Sequence, residues 1–125
     1  MPALNFKKRF ARPVESGAKR HSIRAKRKDG RNPHVGDRLY LYTGMRTKGC
    51  RKLGESVCKN VREIVIDWPR IILAGNHLSY DAACKIVAAD GFDSRAEFFD
   101  FFEKEHGLPF WGLLIEWGPL QRNLT

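Results

Sequence analysis

The chain has 125 residues, 42% of them hydrophobic, and a net charge of +9. Eight Phe and three Trp can fill a core, so a disordered chain is excluded and one domain over 1–125 is expected, ordered from about 4 to 118. No run approaches the ~18 apolar residues of a membrane span, and MPALNFKKRFARP lacks the apolar stretch of a secretory signal, so a cytoplasmic protein without a membrane partner is expected.

Leu4 to Phe6 reads as a short edge strand. Phe10 to Ser16 reads as a helix stopped by Gly17, with Pro13 tolerated only in its first turn. Arg20 to Arg24 reads as a strand, with Ser22 and Arg24 on one face and His21 and Ile23 on the other. Lys26 to Asn32 is a charged, glycine-containing loop, and Pro33 to Asp37 is a turn. Arg38 to Tyr42 alternates as a strand with Leu39 and Leu41 toward the core.

Thr43 to Gly54 reads as a second basic loop, followed by a long strand from Ser56 to Trp68, closed by Pro69. Arg70 to Leu73 is a further strand, with Gly75-Asn76 as a turn. Ala82, Ala83, Ile86 and Val87 give a helix ending near Ala89, capped by Ser79 or Asn76 and stopped by Gly91. Ser94-Arg95-Ala96-Glu97 is a capping-box pattern opening a helix to about Glu105, with Phe98, Phe101 and Phe102 inward. Phe110 to Trp117 is an apolar strand buried on both faces, and the tail from Gly118 is expected to fray. There is no βαβ alternation and no glycine-rich phosphate loop. The order favours an α+β domain, a curled antiparallel or mixed sheet with helices to one side.

The three Cys are odd in number and irregular in spacing, which fits reduced thiols. No C-x-x-C or H-x-x-x-H spacing supports a metal, and no cofactor is expected. Charge is more informative. Residues 1–60 hold 17 of the 23 Lys and Arg and 4 of the 14 acids, a net of +13; the remainder nets −4. Such asymmetry points to a polyanion partner rather than a solubilising surface, which mixes signs.

The cations concentrate in two connections: Lys19, Arg20, Arg24, Lys26, Arg27, Lys28 and Arg31, then Arg46, Lys48, Arg51 and Lys52. At one mouth of a barrel they would form a continuous rim for phosphates. Tyr40 and Tyr42 lie between them, either as base-stacking platforms or as half-buried strand residues. A helix-turn-helix reading of the two late helices is disfavoured. Residues 94–106 carry Glu97, Asp100, Glu103 and Glu105 against Arg95 and Lys104, the wrong sign for a groove. Ser22 has Lys19 three residues before it. A Ser–Lys nucleophile works here only if Lys19 sits in the turn ahead of the strand.

Gly17-x-Lys19-x-x-Ser22-Ile23-Arg24, then Val35-Gly36-Asp37-x-Leu39, then Asp90-Gly91-Phe92 before an aromatic helix, together resemble the ASCH domain. ASCH domains belong to the PUA-like group of RNA-associated β-barrels, and the likeness runs from about Phe6 to Trp117. Leu41 to Lys48 looks like a branch common in phage and prophage genomes. The resemblance implies a small PUA-like barrel with two or three flanking helices and a cleft lined by Lys19, Ser22 and Asp90. It implies binding of RNA, single-stranded nucleic acid or a modified nucleoside. Some ASCH proteins are amidohydrolases that deacylate N4-acetylcytidine with a Lys, a Thr and a Glu; others are reported ribonucleases. Carried over, Lys19 would activate Ser22 for attack on the amide carbonyl, and Asp90 would assist the leaving amine. Ser22 stands where that enzyme has Thr, and Asp90 where it has Glu, one methylene longer. A protein-inhibiting interaction module of phage type is the remaining reading.

Overall fold

A computed structural model describes residues 2–121. Ten elements follow one another: β1 (Ala3–Phe6), α1 (Lys8–Ser16), β2 (His21–Ala25), β3 (Arg38–Thr43), β4 (Arg51–Asp67), β5 (Arg70–Leu73), β6 (Asn76–His77), α2 (Tyr80–Ala89), α3 (Arg95–His106) and β7 (Phe110–Trp117). The architecture is α+β: one mixed seven-stranded sheet and three helices.

β4 organises the sheet. Its 17 residues pair with β3 over the first half and with β7 and β5 over the second. Register shifts leave Leu53 and Lys59 without opposite residues, and such bulges bend and twist a strand. β1 adds to β3 in parallel, and β2 adds to β7 antiparallel. The sheet does not close, because no ladder joins β1 to β2 among the described residues. Two arginines bridge that seam instead. Arg24 Nη2 donates to the Asn5 carbonyl at 2.6 Å, and Arg27 Nη2 to the Ala3 carbonyl at 3.0 Å. They satisfy acceptors that an edge strand would otherwise leave open.

The alternation in β3 is as the sequence implies: Leu39 and Leu41 are fully buried, while Tyr40 and Tyr42 are half-buried. α3 drives Phe98 and Phe102 into the core against Phe92 and Phe110, with ring centroids 4.8–5.4 Å apart. Phe99 is the third buried ring of this helix, and Phe101 is only partly covered.

Several boundaries differ from the sequence reading. α1 begins at Lys8, so Pro13 lies beyond the first turn and removes the bond its N–H would have made to Arg9. β4 begins at Arg51, not Ser56, because pairing with β3 recruits a polar segment that has no strand periodicity of its own. Asn76 belongs to β6, and the turn falls at Ala74-Gly75. Ser79 caps α2, accepting from Ala82 N. Ser94 caps α3, but Glu97 spends its carboxylate on Arg9 at 2.6 Å. Trp111 makes β7 less covered than expected, at 70% exposed. Gly118 to Gln121 is anchored: Ser56 Oγ donates to the carbonyls of Gly118 and Pro119, and Gln121 bridges to Glu55. The rest of the expected frayed tail, 122–125, lies outside the described residues.

Candidate ligand cleft between β2 and the end of α2

Gly17 ends α1 at φ 86°, a left-handed conformation that suits glycine, and turns the chain toward β2. Lys19 N then donates to the Pro13 carbonyl at 2.9 Å. Lys19 therefore sits in the turn before the strand, as a Ser–Lys arrangement requires. Its side chain runs inward and is only 4% exposed.

Asp90 meets it from 71 residues away. Asp90 is the C-cap residue of α2, and Gly91 follows at φ 96° against the Phe10 ring. A carboxylate at a helix C-terminus faces the negative end of the dipole, so it needs a cation. Lys19 Nζ supplies it, donating to Asp90 Oδ1 at 2.5 Å and to the Asp90 carbonyl at 2.8 Å. One ammonium thus neutralises the side chain and caps the helix. Burial pushes the Lys19 pKa below its ordinary value, Asp90 opposes that, and Arg24 and Arg9 add to it.

His21 was not among the residues singled out from sequence. Its buried Nε2 lies 3.1 Å from Asp90 Oδ1 but outside hydrogen-bond geometry. Only its place inside the first motif block pointed toward it.

Ser22 and Arg24 share a face of β2 as expected. Arg24 Nε donates to Ser22 Oγ at 2.6 Å, and its guanidinium lies 4.7 Å from the Phe6 ring centroid. Desolvation lowers the Arg24 pKa to about 10, partly offset by Asp90. Ser22 Oγ thus takes its proton contact from Arg24, while Lys19 is held by Asp90. These groups line a cleft of about 190 Å³, walled by Phe6, Phe10 and Phe101 and rimmed by Lys7 and Glu105, an ion pair at 2.8 Å. The aromatic wall and rim carried no chemical motif in the sequence.

The basic loops flank this cleft through β1. Arg27 reaches Ala3, and Asn5 Oδ1 accepts from Met45 N beside Arg46 while its carbonyl takes Arg24. Tyr40, Tyr42, Arg46, Lys48 and Arg51 do not line the cleft; Arg51 lines a neighbouring hollow that shares Asn5, Phe6 and Lys7 with it. Arg20 folds back on the Gly17 carbonyl.

The charge asymmetry of the sequence is partly cancelled in space. Lys7, Arg9, Lys19 and Lys26 of the basic half pair with Glu105, Glu97, Asp90 and Glu63 of the acidic half. Arg51 pairs with Glu15, and Arg38 and Lys52 with Glu55. Lys28, Arg31, Arg46 and Lys48 form no ion pair among the described residues.

Among solved structures, the chain is similar to ASCH from Zymomonas mobilis, with a TM-score of 0.59 and 14% sequence identity over 95% of this chain and 67% of that one. The fold is that of an ASCH protein. The sequence itself matches no family model and no curated protein. Among the described residues no group of His, Cys, Asp and Glu is placed to hold a metal ion, and no helix is long and apolar enough to cross a membrane.

Proposed function

We propose that the protein is an ASCH-family domain, of the phage or prophage branch that Leu41 to Lys48 resembles, and that it binds single-stranded RNA or a nucleotide. The cleft takes the base or nucleoside, read by Lys19, Ser22, Arg24 and Asp90; Arg20, Lys26, Arg27, Lys28, Arg46, Lys48 and Arg51 hold phosphates. The observation that carries this reading is the buried Lys19–Asp90 pair opening onto a concave site. Two desolvated charges cost several kcal/mol unless well paired, and such groups concentrate where a ligand is recognised. Fluorescence anisotropy with a labelled single-stranded RNA at several salt concentrations tests it. The expected result is an affinity that falls steeply with salt. A flat salt response removes the phosphate contacts from the account.

A second reading has one observation in its favour: a desolvated Lys19 with a lowered pKa stands in the same cleft as Ser22. In that reading the cleft deacylates an N4-acylated cytidine. Ser22 Oγ forms the bond to the acyl carbon as its proton passes to the neutral form of Lys19. The C–N bond breaks and the amine leaves with a proton delivered by way of Asp90. Water then hydrolyses the acyl-serine to the free acid and returns Ser22 to its hydroxyl form. It requires Ser22 to exchange its contact with Arg24 for one with Lys19. Release of cytidine from N4-acetylcytidine, lost in both Lys19→Ala and Ser22→Ala, is the expected outcome. No turnover by the unmodified protein removes this reading and leaves binding intact.

A further inference from the structure

The outer face of β7 carries a feature the cleft does not use. Trp111 is 70% exposed in the middle of a sheet, although an indole is large enough that burial is its normal fate. Its place in the sheet is set by β4. Val65 of β4 stands directly opposite Trp111 and also opposite Ile72 of β5, so Ile72, Val65 and Trp111 form one row across three strands. Gly112 next to it cannot be replaced by a larger residue without collision, since a Cβ there would lie 2.5 Å from the Arg24 carbonyl. That close approach of backbones keeps β7 tight against β2 next to the indole. Lys26, Glu63, Ile64 and Gly75 complete a shallow groove of about 220 Å³ around the row.

The size and charge of this patch select its occupant. Val65 and Ile72 are half-buried, so the exposed apolar surface is chiefly one indole. A stable protein interface needs roughly 800 Å² from each partner, which one side chain does not provide. A single planar group is the right size. Lys26 is in the groove, paired to Glu63 at 2.7 Å, and it opens the segment that carries Arg27, Lys28 and Arg31. Lys28 and Arg31 form no ion pair among the described residues. An exposed indole whose groove holds Lys26, at the start of the cationic 26–31 segment, suits a base joined to a phosphate.

We propose that Trp111 is a stacking subsite for an unpaired base of single-stranded RNA, separate from the cleft and joined to it along β2. Arg24 lines the cleft, and Lys26, two residues further along the chain, lines the Trp111 groove. A strand entering the cleft with one base then passes the 26–31 loop with its phosphates and lays a later base on Trp111. This inference rests on the RNA-binding reading, and it gives that reading a length: a mononucleotide fills the cleft alone, and a longer strand engages both.

The test compares mononucleotide cytidine monophosphate with single-stranded RNA oligonucleotides of increasing length, using wild type, Trp111→Ala and Trp111→Phe. Trp111→Ala is expected to weaken the longer oligonucleotides about tenfold and to leave the mononucleotide unchanged; Trp111→Phe, which keeps an aromatic face, restores most of the loss. Indole fluorescence is expected to be quenched by the long strands, with the largest component lost in Trp111→Phe. If wild type binds long RNA and Trp111→Ala binds it equally, the subsite is wrong and the cleft reading stands. If wild type binds no RNA of any length, the underlying reading fails. If sedimentation shows a wild-type dimer that Trp111→Ala converts to a monomer, the patch serves a second copy and the stacking proposal is overturned.

Discussion

The Lys19–Asp90 cleft and the two basic loops hold charges of very different standing. In the cleft, Lys19 and Asp90 are 4% and 5% exposed, and the ammonium donates to both the carboxylate and the backbone carbonyl of Asp90. In the loops, Lys28, Arg31, Arg46 and Lys48 are exposed and unpaired among the described residues, so water solvates them and salt screens them. A buried pair is costly to break and specific in geometry. An exposed cation is cheap to remove and attracts any phosphate. Sequence charge density is highest in the loops, yet the proposed recognition site is centred on one buried pair.

Breaking the cleft pair gives the largest expected effect. Lys19→Ala leaves the Asp90 carboxylate buried without its cation and uncaps α2, a loss of about 3–5 kcal/mol of stability in a urea titration. The double substitution Lys19→Met with Asp90→Leu removes both charges and is expected to recover part of it. A single variant as stable as wild type contradicts the pairing. Next is Arg24→Lys, which keeps the charge but cannot serve Ser22 Oγ and the Asn5 carbonyl from one planar fork. About 1–3 kcal/mol is expected to be lost, and the β1–β2 seam is expected to exchange amide hydrogens faster. Unchanged exchange in β1 removes Arg24 as the bridge.

The pH dependence separates the regions again. Burial holds the Lys19 pKa below 10.5 in the folded protein. Between that lowered value and 10.5 the unfolded chain binds more protons at this group than the folded one. The Lys19 contribution therefore makes stability rise with pH across the window. Unfolding curves of wild type and Lys19→Met are expected to differ in slope there, and equal slopes argue against the desolvated ammonium. The smallest effects on stability belong to the loops. Lys28→Ala, Arg46→Ala and Lys48→Ala are each expected to change stability by no more than ~0.5 kcal/mol while lowering the salt slope of RNA binding by about 1. An unchanged slope shows that the loop in question does not touch phosphate.

Much of this arrangement was legible before folding was considered. The Leu39–Tyr42 alternation, the Ser79 and Ser94 caps and the Phe98 and Phe102 face follow from local physics, and the structure keeps them. Arg51 to Glu55 was not legible as strand, because those residues carry no alternation and are drawn in by the ladder to β3. Glu97 was expected to close its own helix, but a distant Arg9 offers a charged partner. The cleft was half legible. The residues of β2 declare Ser22 and Arg24 on one face, but nothing local ties Lys19 to a residue 71 positions away, and only the family resemblance joined them. The pairing of Lys7, Arg9, Lys19 and Lys26 with the acidic half was invisible for the same reason: composition counts charges without placing them.

The central claim is that ligand recognition lies in the cleft and the loops only assist. An amide NMR titration of the labelled protein with single-stranded RNA tests it most directly. The account predicts the largest shifts at Lys19 to Arg24 and at Asp90 and Gly91, with smaller, salt-sensitive shifts at 26–31 and 44–52. Shifts confined to the two loops, with residues 19–24 and 90 unmoved at saturation, would contradict it.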